Sequence, residues 1–124
     1  KKQLLKAHRQ FQRNQWLRRF KLAAPHKPKI LGCHFSAFRE DIARVNGFDE
    51  KFRGWGFEDD DFTRRLYMAG VRGRSVIHEA RAVHLWHPPV DSKPEVFSGS
   101  PNAAYFRRKD VPAYCFEGLE KKRS

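Results

Sequence analysis

Residues 45–70 read VNGFDEKFRGWGFEDDDFTRRLYMAG, and the organisation of the chain can be worked outward from them. Asn46-Gly47 is a turn signal, because both residues tolerate the left-handed backbone of a tight turn. Gly54 and Gly56 flank Trp55, which lets the chain bend sharply and leaves the indole face open as a stacking surface. Glu58, Asp59, Asp60 and Asp61 follow as four consecutive carboxylates. Their mutual repulsion costs stability, yet such a group is useful where one acid accepts a proton and others hold hydroxyls or a cation. A helix is predicted from within this run through Phe62, Leu66 and Met68 to Gly70. Acids in a first turn suit the helix dipole, which accounts for one or two of the four and poorly for the rest. An exposed Trp stacks on the apolar face of a sugar ring, and adjacent carboxylates accept from its hydroxyls. The residues therefore point to carbohydrate before any other ligand.

Upstream, residues 29–38 (KILGCHFSAF) alternate β-formers and read as a buried strand, followed by a short helix over residues 39–45. Residues 2–23 contain good helix formers and no Gly or Pro, and Pro25 and Pro28 end that helix. Its apolar positions form two groups, Leu4, Ala7 and Phe11 on one side and Leu5, Trp16 and Phe20 on another. Two stripes imply contact with more than one surface. Downstream, residues 74–86 read as one or two strands ended by Pro88-Pro89. Residues 90–113 read as a loop or extended tail, residues 114–119 as a short apolar piece, and the last five residues as a fraying end.

A length of 124 residues allows one small domain with one core. No apolar run reaches the roughly 18 residues of a membrane span, and the basic start lacks the apolar core of a signal peptide. The net charge of +12 is uneven: residues 1–30 hold ten Lys and Arg and no acid, whereas the rest of the chain is nearly neutral. Residues 1–28 thus read as a basic helix and linker, residues 29–120 as the globular region, and residues 121–124 as a tail. The basic segment suits an anionic membrane surface through residues 1–24, nucleic acid, or an acidic protein patch. Nucleic acid is the weaker reading, since no recognition motif accompanies the charge. Cys33 and Cys115 sit in no CxxC pair, which argues against structural zinc; two thiols in a small domain read as buried apolar groups in a reducing compartment, with a disulfide as the alternative. Dinucleotide, P-loop, zinc-protease and nucleophile-elbow motifs do not occur.

His84 and His87 in the stretch HLWH form the remaining constellation. Residues three apart in a strand point to opposite faces, so both imidazoles reach one metal only if the strand ends between them. One His with carboxylates from elsewhere suits Mn²⁺ or Mg²⁺, the alternative being a structural His at a strand end; His78 reads as structural.

With these residues in place, residues 45–70 closely resemble the C-terminal signature of the β-1,4-galactosyltransferase family, with similar motifs in bacterial family-2 glycosyltransferases and chondroitin-type polymerases. LGCHFSAFRED (residues 31–41), AVHLWHPP (residues 82–89) and YCFEGL (residues 114–119) extend the likeness over roughly residues 30–120. The resemblance implies an α/β fold, the C-terminal part of a GT-A nucleotide-diphospho-sugar transferase preceded by the basic helix. It implies an inverting, metal-dependent transfer from a nucleotide-sugar, expected to be a UDP-sugar, to a glycan acceptor, as in lipopolysaccharide or capsule synthesis. By family role Asp59 is the base that deprotonates the acceptor and Glu58 orients the reacting groups. Trp55, Gly54, Gly56, Asp60 and Asp61 contact substrate, and His84 is the metal ligand with His87 beside it. Cys33-His34 stands where many members carry Asn after a small residue, which places His34 at a donor or acceptor contact. In the family a nucleotide-binding half with an Asp-x-Asp motif precedes this region, and residues 59–61 are not counted as that motif. The region is therefore expected to be the acceptor-side half of an enzyme, inactive in isolation, in the cytoplasm or at the inner membrane face. The alternative is a non-catalytic carbohydrate- or protein-binding remnant.

Overall fold

In the computed structural model, which describes residues 2–30, 34–80, 82–83, 85–88 and 99–121, four helices are joined by extended segments and turns. They are α1 (Lys2–Arg19), α2 (Arg39–Arg44), α3 (Glu58–Met68) and α4 (Pro101–Phe106). The long basic segment forms α1 as its composition predicts, and it stops before the prolines through its own backbone. Leu22 N–H donates to Leu17 O and Lys21 N–H to Arg18 O, while Lys21 takes a left-handed φ of 59°. This is the Schellman arrangement that satisfies the last carbonyls of a helix.

The core is small. Val45, Phe62 and Leu66 are buried, with Ile30, Phe35, Ile42, Ala69 and Val71 closing around them. Phe48 stacks on Phe62 at 4.3 Å, and Phe35 tilts against the same ring at 5.9 Å. Such aromatic contacts supply area that short elements cannot provide otherwise. Residues 28–30 lie along α3: Tyr67 donates its hydroxyl to Pro28 O at 2.8 Å, Lys29 pairs with Asp60, and Ile30 N–H donates to Thr63 Oγ1. The inward side of α1 meets the same body. Arg18 lies 4.0 Å over the Tyr67 ring, Gln15 donates to Gly73 O, and His8 Nδ1 is 3.0 Å from Ser75 Oγ. His78, expected to be structural, sets its ring edge-on to His8 at 5.1 Å.

Asp61 ties these elements together. It has no exposed surface and takes Arg64 at 2.5 Å, Arg65 at 2.8 Å and Arg108 at 3.1 Å. Arg65, itself 1% exposed, extends Nη1 to Val45 O at the cap of α2 and to Gly47 O in the turn that follows. Asn46 and Gly47 form the predicted turn, with φ of 61° and 71°. The Asn46 side chain then donates to Cys115 O and Glu120 O and accepts from Glu120 N–H. Gly118 comes so close that a Cβ there would lie 1.7 Å from Asn46 O, a position only glycine can occupy.

Neither expected strand forms among the described residues, whose one ladder contact is an isolated bridge between Glu117 and Lys121. The alternation is nevertheless present. Phe35 and Ala37 are half-buried while Ser36 and Phe38 are exposed; Val71, Gly73 and Ser75 are half-buried while Arg72, Arg74 and Val76 are exposed. Each segment has one covered side and no strand among the described residues to pair with, and α1 covers the second. Residues 31–33, 81, 84 and 89–98 lie outside the described residues. Within the expected loop over 90–113, residues 101–106 are helical: Ser100 caps α4 by accepting from Ala103 N–H, and Pro101 starts it. Cys115 is buried and free, and burial raises its thiol pKa.

Two predictions follow from this packing. Asp61→Asn leaves three guanidinium groups around a neutral amide and should cost about 3–5 kcal/mol, read as a lower urea midpoint. Burial pushes the Tyr67 hydroxyl up to about 12. The unfolded tyrosine ionises near 10, so this stabilisation is complete below that pH and is lost as pH rises through about 12. Tyr67→Phe should show a shallower alkaline loss of stability than the unaltered protein, measured by denaturation at stepped pH.

Candidate functional site

The aromatic turn is held from outside itself. Gly54 and Gly56 take φ of 69° and 107°, and Phe57 follows at 72° as the N-terminal neighbour of α3. Backbone of this kind exposes polar groups that no regular element satisfies. Asn102 on α4 satisfies them: Nδ2 donates to Arg53 O and Gly56 O at 3.0 Å and to Trp55 O at 3.4 Å, while Oδ1 accepts from Arg53 N–H. The Phe57 ring stacks on Phe106 at 5.2 Å, which fixes the turn to the other end of α4.

Trp55 is 39% exposed, on the rim of an open cleft of about 320 Å³. Lys51, Arg53, Pro101, Asn102 and Tyr105 line the rest of it. The cleft thus combines two aromatic surfaces with two cations. Tyr105 stays a neutral donor to Asp49 Oδ2 at 2.9 Å; burial first, and this hydrogen bond second, push its hydroxyl up to about 12. Arg108 stacks 3.8 Å over the Tyr105 ring and reaches both Asp49 and Asp61, linking the cleft wall to the core cage.

The four carboxylates separate into different environments. Asp61 faces inward, with both oxygens engaged by arginine and no surface to offer. Its expected contact with substrate does not fit that burial, and its place is in the framework. Asp60, 6% exposed, pairs one oxygen with Lys29 at 2.9 Å. Its charge also bears on His26, whose pKa falls because burial outweighs the attraction of Asp60. Glu58 and Asp59 are half-buried in the first turn of α3, with the Asp59 carbonyl accepting from the Thr63 hydroxyl at 2.6 Å. Glu58 Oε2 and Asp60 Oδ1 are buried without a hydrogen-bond partner. Neither Glu58 nor Asp59 lines the cleft beside Trp55.

The histidines are dispersed. His34 is exposed where the first extended segment begins, and His87 is exposed with Nδ1 2.9 Å from Pro88 O. His84 lies outside the described residues. Among the described residues no three His, Cys, Asp or Glu side chains converge as a metal site. With Asp60 paired to Lys29 and Asp61 enclosed by arginine, the acidic run does not form a metal centre by itself.

Sequence reasoning missed Lys29, Asn102 and the arginines of the cage. Ser100-Pro101 carried a usable signal, a capping serine before a first-turn proline. Asn102→Ala removes the bonds from this side chain to Arg53, Trp55 and Gly56 and should cost about 2–3 kcal/mol. Hydrogen exchange should show the Arg53 amide losing protection while amides in the core of α3 keep theirs.

Residues 17–88 match the family model described as the N-terminal domain of galactosyltransferase. The resemblance had placed the region at the C-terminal part of the family's enzymes, so the family agrees and the described position differs. The chain is 36% identical over 52 residues to chondroitin sulfate synthase 3 of Homo sapiens, across 41% of this chain and 6% of that protein, with the same figures for the Mus musculus protein. It is 34% identical over 80 residues to chondroitin synthase of Escherichia coli, across 64% of this chain and 11% of that protein. The chain thus spans a small fraction of the length of these relatives. No solved structure matches it. The matched residues make up more than half of the sequence, and the chain belongs to this galactosyltransferase family of glycosyltransferases.

Proposed function

We propose that this chain is the acceptor-side half of an inverting glycosyltransferase of GT-A type, working on a nucleotide-sugar, expected to be a UDP-sugar, and a glycan acceptor. The observation that carries the reading is the cleft in which Trp55 and Tyr105 stand among Lys51 and Arg53, immediately before the carboxylates of α3. Aromatic faces stack on sugar rings, and the two cations suit an acidic glycan or a diphosphate. The relatives named for chondroitin synthesis favour the acidic glycan.

Transfer requires the acceptor hydroxyl to attack the anomeric carbon as the bond to the diphosphate breaks. A base must take the hydroxyl proton, and Asp59 is assigned that role, with Glu58 orienting the hydroxyl. The half-buried position of Glu58 and Asp59 in the first turn of α3 supports this assignment, since both stay partly open to an acceptor. Gly54 and Gly56 shape the backbone beside the substrate, His34 remains a proposed donor or acceptor contact, and Asp61 holds the helix that carries the others. The divalent ion implied by the resemblance, Mn²⁺ or Mg²⁺, would neutralise the leaving diphosphate when bound. His84 is its proposed ligand with His87 nearby, and the described residues do not complete that site.

A second reading rests on the cleft itself, whose lining omits Glu58 and Asp59. On that reading the region binds glycan without catalysis. In the full-length protein, Asp59→Asn should lower kcat at least about 100-fold, with acceptor binding and thermal unfolding unchanged. An active Asp59→Asn enzyme would remove the base assignment. Chondroitin-oligosaccharide binding that requires Trp55, together with no turnover of any UDP-sugar with Mn²⁺, would establish the second reading.

A further inference from the structure

The two sides of α1 differ in what they meet. His8, Phe11, Gln15 and Arg18 share the side that contacts the body, with Phe11 reaching toward Gly73. At about 100° per residue, the opposite side collects Leu5, Arg9, Arg13 and Trp16, flanked by Lys2 and Lys6. Phe20, in the terminal turn, continues it. These apolar side chains are turned to solvent: Leu5 is 41% exposed, Trp16 61% and Phe20 56%, with the two rings 5.0 Å apart. A shallow groove on this side runs between Leu5 and the cations Lys2, Lys6, Arg9 and Arg13. No acid occurs within residues 1–30 to neutralise them.

We propose that this outward face is a docking surface for an anionic lipid bilayer. The helix would lie along the headgroups, with Leu5, Trp16 and Phe20 entering the acyl boundary and the four cations on lipid phosphates. Interleaving of cations with large apolar side chains on one face selects this partner. A lipid interface takes both kinds of group, whereas a phosphate backbone engages the cations and leaves leucine in water. The indole of Trp16 is also a side chain that settles at headgroup depth, and phenylalanine and leucine supply the apolar face of such helices. No described helix is long and apolar enough to cross a membrane, so the contact is along the surface. The contacts of α1 with the body hold the helix formed before it binds, which spares the ordering cost an unfolded segment would carry.

The inference stands apart from sugar transfer, and its test reads none. The protein is sedimented with vesicles of phosphatidylcholine alone and with vesicles containing about one-third phosphatidylserine. Binding should be confined to the anionic vesicles and should weaken as salt rises. Arg9→Gln with Arg13→Gln should lower partitioning about 30-fold, and Trp16→Ala with Phe20→Ala should also lower it, at unchanged helical circular dichroism. Arg39→Gln with Arg107→Gln removes the same charge from elsewhere and should change partitioning by less than about threefold. Should a variant lose its helical signal, the salt response of the unaltered protein decides. Equal binding to neutral and anionic vesicles, no binding to either, or an equal loss from the control pair overturns the proposal. Tighter binding to a double-stranded oligonucleotide at the same salt overturns it in favour of nucleic acid.

Discussion

The ion cluster around Asp61 is the constraint from which the rest of the structure hangs. A carboxylate without exposed surface is tolerable only when its charge is answered nearby, and Arg64, Arg65 and Arg108 answer it. Each arginine then carries the connection further. Arg65 reaches the carbonyls of Val45 and Gly47, Arg64 reaches Phe106 O, and Arg108 reaches Asp49. One acid on α3 thereby joins the end of α2, the turn at Asn46 and the end of α4. Among the described residues the buried hydrophobic cluster is Val45, Phe62 and Leu66, too small to fix these elements alone. The polar network supplies the orientation that a larger core would have supplied.

This arrangement explains how four adjacent acids coexist. They do not share one environment: α3 turns Asp61 into the cage and Asp60 toward Lys29, leaving Glu58 and Asp59 at the boundary with solvent. Repulsion within the run is divided among separate cations as well as the helix dipole. Framework and the proposed chemistry therefore share a single helical turn. The Trp55 turn is supported from a different direction, by Asn102 on α4. Because Arg108 and Arg64 bind α4 to the same cage, the cleft and the acids are held by one network.

The readable parts of the sequence were those whose signals are local. Helix propensity located α1, though its end at Arg19 falls short of the prolines; Asn46-Gly47 announced its turn, and the acidic run marked the start of α3. The strands expected over residues 29–38 and 74–86 overlap extended segments with period-two exposure at residues 34–38 and 71–76, of which residues 71–73 lie outside the expected range. Strand formation was a different matter. A ladder needs a partner placed by the tertiary structure, and one of these segments lies under α1 instead of beside another strand. Helix α4 was missed because a polar, proline-containing stretch outweighed a capping signal of two residues.

The sequence by itself determined the family and the chemical vocabulary of the site, since aromatic turn, carboxylates and their spacing are properties of neighbours along the chain. It also determined that the basic helix has two apolar sides. Only the tertiary structure decided which acid is framework and which remain at the surface, because burial depends on arginines distant in sequence. It likewise decided that Asn102, 46 residues beyond Gly56, holds the tryptophan turn. Those partners meet because folding closes long loops around a buried charge, and no local pattern records a contact made in that way.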